Sequence, residues 1–242
     1  QKQAAYQAQL DSIALVKQIQ ADSIAAVEAA RTKSDTASVA QVAAPVSIYK
    51  DSLLEAAHSA EAQIVTLAND KFEVAFTTKG AQPYSVKINE YSSYGGGELF
   101  IFKPEMSRYD IQVYAGETIN TADFNFVVAE KTDTSLAMRL PFAGGGYIEQ
   151  RYSIAEGSYS VKNYLSFVGM ENVIPKNVFS FDVDYFVTMP RMEKGYKSEV
   201  QYSKLDYYFN GEKKPEAIAK GRSAQKRVDA RVSWFAFQQQ FF

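Results

Sequence analysis

Apolar residues recur at every second position from residue 64 onward, and this alternation restricts the fold more than any other feature of the chain. In the segments 72–77 (FEVAFT) and 84–89 (YSVKIN), apolar or aromatic side chains alternate with polar or small ones. Successive side chains of a β-strand point to opposite faces, so each segment is predicted to be a strand with one buried face. Lys79, Gly80 and Ala81 lie between them and predict the turn of a β-hairpin.

Segments of the same kind return at short intervals, with no helical periodicity between them. Strands are predicted at 99–102, 111–114, 124–128, 136–140, 147–154, 159–168, 179–189 and 205–209. The glycine triplets Gly95–Gly97 and Gly144–Gly146 predict hairpin turns, since neither is followed by the Gly-Lys-Ser/Thr of a phosphate-binding loop. Many short strands joined by turns are typical of an antiparallel sandwich.

Three strand segments allow more specific predictions. In 179–189, Phe181, Val183 and Tyr185 alternate with mostly polar positions, which predicts one packed face and one partly wet face. Asn210-Gly211 follows the segment 205–209 and predicts a type I′ turn. The last segment, 232–242, is aromatic and strand-like and ends without a turn, so we expect the chain to be truncated inside or just before further structure.

The first third of the chain differs, because residues 1–62 are rich in Ala, Gln and Ser and contain no glycine. Apolar residues recur there at helical spacing, and the tetrad Asp-Ser-Ile-Ala occurs at 11–14 and 22–25, about three helical turns apart. We predict an amphipathic helical stalk at 1–35, which is either a solvated helix with a weak seam or a spacer that holds the next domain away from a membrane. Residues 36–62 are predicted to be a linker in which 51–57 can form a short helix, and 63–242 to be the β-domain.

Charge and cysteine content exclude several classes of protein. The chain has 26 Lys and Arg against 28 Asp and Glu, a balance that argues against a duplex nucleic-acid binder. It has no cysteine, which excludes disulfides and thiolate zinc sites. No stretch approaches the roughly 18–20 apolar residues of a membrane span, and no signal peptide is visible. Because the chain begins with Gln1, we expect an upstream segment to have been removed or left out.

The residues predict no catalytic, cofactor-binding or metal-binding site, and therefore no enzyme. His58 is the one histidine and lies in the predicted linker, where we expect it to be solvated, so neither a Ser-His-Asp triad nor a histidine zinc site is available. Asp182 and Asp184 share a strand face, and such a pair can serve glycoside hydrolysis or bind calcium. A solvated strand face is the interpretation we favour for them.

A cluster of cations occupies residues 212–231. It consists of Lys213, Lys214, Lys220, Arg222, Lys226, Arg227 and Arg231. A solvated loop is the default interpretation, and contact with anionic lipid head groups is the alternative. A site for single-stranded nucleic acid would also require exposed aromatic residues beside the cations.

Several segments together resemble the periplasmic domain of the YidC-type membrane-protein insertases. Residues 68–81 (ANDKFEVAFTTKGA) resemble the opening strand and turn of that domain, and Tyr91 falls where the family often has a tyrosine. Residues 154–161, with Gly157 and Tyr159-Ser160-Val161, resemble a later strand entry. The segment 234–242 (WFAFQQQFF) is similar to the tryptophan strand of the family, although Phe237-Gln238 stands where relatives often carry Lys.

The resemblance implies a fold and a function that composition does not. It implies a mostly β, antiparallel β-supersandwich, similar to the galactose-mutarotase fold, in the periplasm beside the bacterial inner membrane. It further implies a scaffold or docking domain of an insertase, anchored by membrane helices absent from this chain. The implied partners are nascent membrane proteins, the Sec translocon and its accessory proteins SecD and SecF. The functional arginine of the family lies in a membrane groove absent here, so no site residue is carried over.

Two other functions stay open at this point. A secreted carbohydrate-binding sandwich would have the same fold, and an aromatic-lined cleft could bind sugar or peptide. Mutarotation itself is disfavoured, because the predicted β-domain has no histidine. A surface adhesin or another structural β-domain is the third possibility.

Overall fold

The computed structural model describes residues 49–218 and 225–239, all of which belong to one unit, Ser47–Phe242. The predicted stalk and the Asp-Ser-Ile-Ala repeat lie outside the described residues. In chain order the elements are α1 (Ser52–Ser59), β1 (Ile64–Ala68), β2 (Phe72–Thr77), β3 (Gln82–Ser92), β4 (Glu98–Phe102), β5 (Ser107–Tyr114), β6 (Thr118–Asn120), a 3-10 turn (Thr121–Asp123), β7 (Val127–Lys131), β8 (Ser135–Pro141), β9 (Tyr147–Ile154), β10 (Val161–Val168), β11 (Asp182–Val187), α2 (Tyr196–Tyr202), β12 (Lys204–Phe209), β13 (Glu216–Ile218) and β14 (Val232–Gln238).

The described strands form four antiparallel sheets. The first sheet has the order β1-β2-β3-β4 and the second the order β10-β9-β8-β7. The third has the order β11-β5-β6 and the fourth the order β13-β12-β14. The predicted mostly β, antiparallel fold is therefore confirmed, and the layered sheets are consistent with a supersandwich.

Both predicted kinds of hairpin are present. β2 pairs with β3 around the turn that contains Gly80, whose φ is +71°. Gly95–Gly97 connects β3 to β4, and Gly144–Gly146 connects β8 to β9. Glycine is needed at Gly146, where φ is +79° and an added Cβ would lie 2.3 Å from the carbonyl oxygen of Gly169.

The core lies mainly between the first and second sheets. Phe76 of β2 contacts Tyr152 of β9 with ring centroids 4.4 Å apart, and both side chains are buried. The Tyr152 hydroxyl donates a hydrogen bond of 2.8 Å to the carbonyl oxygen of Ala81. Burial raises the pKa of Tyr152 far above its usual value, because the apolar surroundings disfavour the phenolate.

Helix α1 adds to this core. Asp51 caps the helix by accepting hydrogen bonds from the backbone N–H groups of Leu53 and Leu54, at 2.8 and 3.3 Å. The buried face of α1 contributes Leu54 and Ala57 to the core. The short helix predicted at 51–57 is thus confirmed, and residues 49–62 of the predicted linker pack against the β-domain.

One predicted strand is wrong in its first half. Residues 121–123 form a 3-10 turn and β7 begins only at residue 127, whereas a strand was predicted from 124. The backbone of 124–126 bonds elsewhere: the N–H of Asn125 donates to Ala57 of α1, and that of Phe126 donates to Thr78. Phe124 and Phe126 are buried by these contacts rather than by a strand partner.

Two further predictions require correction. The turn at Asn210-Gly211 is present, but it is not type I′, because Gly211 has a positive φ and Asn210 has not. The apolar face of β11 was predicted to be packed, yet Val183 is 49% and Tyr185 38% exposed. β11 is an edge strand whose apolar face is covered only in part, by aromatic side chains of β14 beside Tyr185, whereas its partner strand β5 buries Ile111.

Candidate functional site

An apolar cleft of about 960 Å³ opens beside the core. Its floor is the inner face of the first sheet, where Phe72 of β2 pairs with Ile88 of β3, and Ile88 with Leu99 of β4. All three side chains are buried, as the period-two pattern of these strands requires. The remaining lining residues are Val86, Ile101, Tyr91, Ser92, Tyr94, Tyr159, Val161, Met192 and Glu193.

Tyrosines surround the mouth of the cleft. Tyr91 lies at the end of β3 and is 59% exposed, and Tyr94 follows this strand and is 57% exposed. Tyr159 precedes β10 and is 50% exposed. A tyrosine presents an apolar ring and a polar hydroxyl, so it suits the boundary between an apolar interior and water. The cleft therefore changes from apolar to amphipathic toward its mouth.

A charged pair fixes one side of this mouth. Lys71 Nζ lies 2.5 Å from Glu90 Oε1, and the Tyr159 hydroxyl donates a second hydrogen bond to Glu90. The hydrogen bonds from Lys71 and Tyr159 lower the pKa of Glu90. The same hydrogen bonds raise the pKa values of Lys71 and Tyr159. Glu90 is thus ionised and already paired at neutral pH.

A clamp between two turns holds Tyr159 in this position. The side-chain amide of Asn69 donates hydrogen bonds to the carbonyl oxygens of Ala155 and Ser158, at 2.7 and 2.8 Å. Asp70 accepts the backbone N–H of Gly157 at 2.8 Å. The clamp joins the β1–β2 turn of the first sheet to the β9–β10 turn of the second. It therefore connects two of the segments that carry the family resemblance.

A second apolar surface lies on β11 and β14. The ring of Tyr185 lies 6.0 Å from that of Phe235 and 5.8 Å from that of Phe237. Phe235 is 51% exposed, and Phe181, directly before β11, is 43% exposed. Clustered exposed aromatics of this kind are typical of protein contact surfaces.

The residues considered for chemistry are not assembled into a site. His58 is half-buried rather than solvated, with its ring 5.3 Å from Tyr49 and 6.2 Å from Phe124. Asp182 and Asp184 are exposed on β11, and Asp184 forms an ion pair of 2.6 Å with Arg108. Among residues 49–218 and 225–239, no three His, Cys, Asp or Glu side chains are grouped to hold a metal ion.

Two of the five described cations of the basic cluster form ion pairs. Lys226 contacts Glu216 and lies 5.2 Å above the ring of Tyr207, and Arg227 pairs with Asp229 at 2.7 Å. Lys213, Lys214 and Arg231 are exposed. Lys220 and Arg222 lie outside the described residues.

The sequence raised an aromatic-lined cleft as a possibility but did not indicate where such a cleft lies. The alternation in β2, β3 and β4 identified which side chains face inward, but nothing in it indicated that part of this face stays open. Tyr91 and Tyr159 were noted for the family resemblance alone. No helix in the described part of the chain combines the length and apolar character that crossing a membrane requires.

Comparisons with known proteins give one consistent result. The chain is 26% identical over 235 residues to the membrane protein insertase YidC of Porphyromonas gingivalis, a match that covers 95% of this chain and 37% of that protein. It is 27% identical over 233 residues to YidC of Phocaeicola vulgatus, covering 96% and 36%. It is 26% identical over 240 residues to YidC of Bacteroides fragilis, covering 99% and 37%.

These matches confirm the resemblance and extend it to the first third of the chain. The chain spans about 37% of the length of the curated relatives it matches. No protein-family model matches it. No solved structure matches it either, so the supersandwich arrangement stays a prediction.

Proposed function

Because this chain is a relative of the YidC-type membrane protein insertases over almost its whole length, we propose that it is a scaffold and docking domain of an inner-membrane insertase. In this proposal it lies on the periplasmic side of the membrane and acts by binding rather than by catalysis. Its ligands are nascent membrane proteins, and the machine works alone or with the Sec translocon and its accessory proteins SecD and SecF.

The observation that carries this proposal is the apolar cleft with its tyrosine mouth. A nascent membrane protein exposes apolar side chains until it is inserted, and such side chains gain free energy when they leave water. The cleft volume of about 960 Å³ lies at the upper end of the range for ligand pockets, which suits several apolar side chains of one segment. Tyr91 and Tyr94 supply the aromatic anchors that are common at binding hot spots.

The polar groups at the mouth favour an apolar ligand over a sugar. A sugar site needs free hydrogen-bonding groups directed at the ligand, whereas Glu90 is already engaged by Lys71 and Tyr159. A carbohydrate-binding module stays the alternative function, since tyrosine rings also stack on sugars.

The proposal is tested by site-specific crosslinking in the native, full-length gene product. A photoreactive residue at Tyr94 is expected to crosslink to nascent membrane proteins, and one at Tyr114 serves as the matched control. Tyr114 is a tyrosine on β5 that is 48% exposed and lies outside the cleft. Equal crosslinking from both positions would contradict a role for the cleft. Binding of simple sugars, with no crosslink from Tyr94, would move the carbohydrate module to first place.

The location is tested separately. An antibody to this domain is expected to detect a chain much longer than 242 residues that only detergent extracts from membranes. A protein of about this size that is released with the periplasm or the medium would refute the insertase proposal.

A further inference from the structure

One side of the cleft is formed by a short segment that belongs to no sheet. Residues Pro190 to Glu193, here called the strap, lie within the connection between β11 and α2. Met192 of the strap is only 6% exposed, and both Met192 and Glu193 line the cleft. The strap has no strand partner among the described residues, so its position depends on side-chain contacts.

A buried carboxylate holds the strap at one end. Glu199 of α2 is 3% exposed, and its Oε1 accepts the backbone N–H groups of Met192 and Glu193 at 2.5 and 3.2 Å. Its Oε2 has no hydrogen-bond partner in the described part of the chain and lies 3.6 Å from Nε of Arg191. All three of these contacts of the carboxylate are made with residues of the strap.

An amide from the last strand holds the other end. The side chain of Gln239, directly after β14, donates a hydrogen bond of 2.6 Å to the carbonyl oxygen of Pro190. Gln239 is 8% exposed and belongs to the segment 234–242 that resembles the tryptophan strand of the family. Two polar side chains from different elements thus meet on the same four residues.

Burying a carboxylate is costly unless hydrogen bonds replace its lost hydration, and Glu199 obtains two of them from the N–H groups of the strap. An apolar residue at position 199 would leave these N–H groups without their acceptor, so the acid fixes the backbone of a cleft wall. We infer that the strap is a wall whose position determines how tightly the cleft retains an apolar segment of a nascent membrane protein, with Glu199 and Gln239 as its positioning residues. This inference rests on the proposed function of the cleft.

The test uses the neutral apolar fluorophore N-phenyl-1-naphthylamine and the full chain. Glu199→Leu removes both hydrogen bonds and leaves the N–H groups of Met192 and Glu193 without their acceptor, and it is expected to weaken binding of the fluorophore about tenfold. Glu199→Gln keeps an acceptor oxygen and is expected to retain most of the affinity. Glu171→Leu removes an exposed acid outside the strap and serves as the matched control. If Glu199→Leu does not fold, Gln239→Ala carries the same test at the other end.

Hydrogen exchange provides a second readout, which shows whether the substitution loosens the strap alone or the whole domain. The amides of Met192 and Glu193 are expected to lose protection in Glu199→Leu, while those of β2 and β3 keep it. Unchanged affinity, or protected strap amides, in Glu199→Leu would overturn the inference and leave the cleft proposal standing. Failure of the unsubstituted chain to bind the fluorophore, or binding that Tyr94→Ser does not weaken, would overturn both.

Discussion

The clamp formed by Asn69 yields the sharpest stability prediction. Its side chain makes four hydrogen bonds: it donates to the carbonyl oxygens of Ala155 and Ser158, and it accepts the N–H groups of Lys71 and Phe72 at 2.9 and 3.0 Å. A typical hydrogen bond contributes about 0.5–1.5 kcal/mol net. Because the site is only partly buried, we expect Asn69→Ala to lower the free energy of unfolding by about 2–4 kcal/mol.

Asn69→Asp separates the two halves of this network. Aspartate forms the same local turn as asparagine, so it keeps the two accepted hydrogen bonds within the β1–β2 turn. It cannot donate, and its carboxylate would face the carbonyl oxygens of Ala155 and Ser158. If the clamp between the sheets matters, Asn69→Asp loses at least half as much stability as Asn69→Ala.

Urea unfolding followed by far-UV circular dichroism measures both variants. The matched control is Asn89→Ala, which removes a single exposed hydrogen bond of 3.2 Å to the backbone of Asn69. For a domain of this size the expected loss for Asn69→Ala corresponds to a fall in Tm of about 4–16 °C. If Asn69→Asp is as stable as the unsubstituted chain, the clamp is refuted and Asn69 acts only within its own turn.

Three further predictions concern the turn, the core and the mouth. Gly146→Ala is expected to lower the free energy of unfolding by more than about 3 kcal/mol, because its Cβ would overlap two carbonyl oxygens. Gly145→Ala is the control: its Cβ meets no atom, so only the unfavourable positive φ should lower the free energy of unfolding, by about 1–2 kcal/mol. Equal losses for the two variants in urea titrations would contradict the overlap. Tyr152→Phe is expected to lower the free energy of unfolding by about 1–2 kcal/mol in the same titration, because the buried carbonyl oxygen of Ala81 loses its hydrogen-bond donor. An unchanged free energy of unfolding would refute this prediction. The pKa of Glu90 is lowered in the folded chain, so its stabilising effect is complete above its unfolded pKa and is lost as the pH falls through the folded pKa. As the pH is lowered from about 6 to about 3, the free energy of unfolding should therefore fall less for Glu90→Gln than for the unsubstituted chain. Parallel pH profiles of the two proteins would contradict this prediction.

Local patterns in the sequence were sufficient for most of the strands and turns. Period-two alternation identified β2, β3 and β9 closely, and the glycine triplets identified the turns that precede β4 and β9. These features depend on a few neighbouring residues, because side-chain direction in a strand and positive φ at glycine are local properties. The family resemblance rested on the same short segments and was confirmed by the relatives.

Where local patterns were misleading, a distant part of the chain supplied the hydrogen bonds. Asn125 and Phe126 looked like a strand, but their N–H groups bond to α1 and to the turn before β3. The side chain of His58 was expected in water, but Tyr49 and Phe124 partly cover it. Propensity gives way to tertiary contacts in such places.

What the sequence by itself determined is which side chains of each strand point inward, and what only the tertiary structure decided is which inward faces are covered. Coverage depends on where one sheet lies against another, and that position is set by contacts between residues far apart in the chain. Asn69 reaches Ala155 across 86 residues, and Gln239 reaches Pro190 across 49. The periodicity of the sequence contains no information about such distant pairs, so the cleft, its clamp and its strap become visible only in the folded chain.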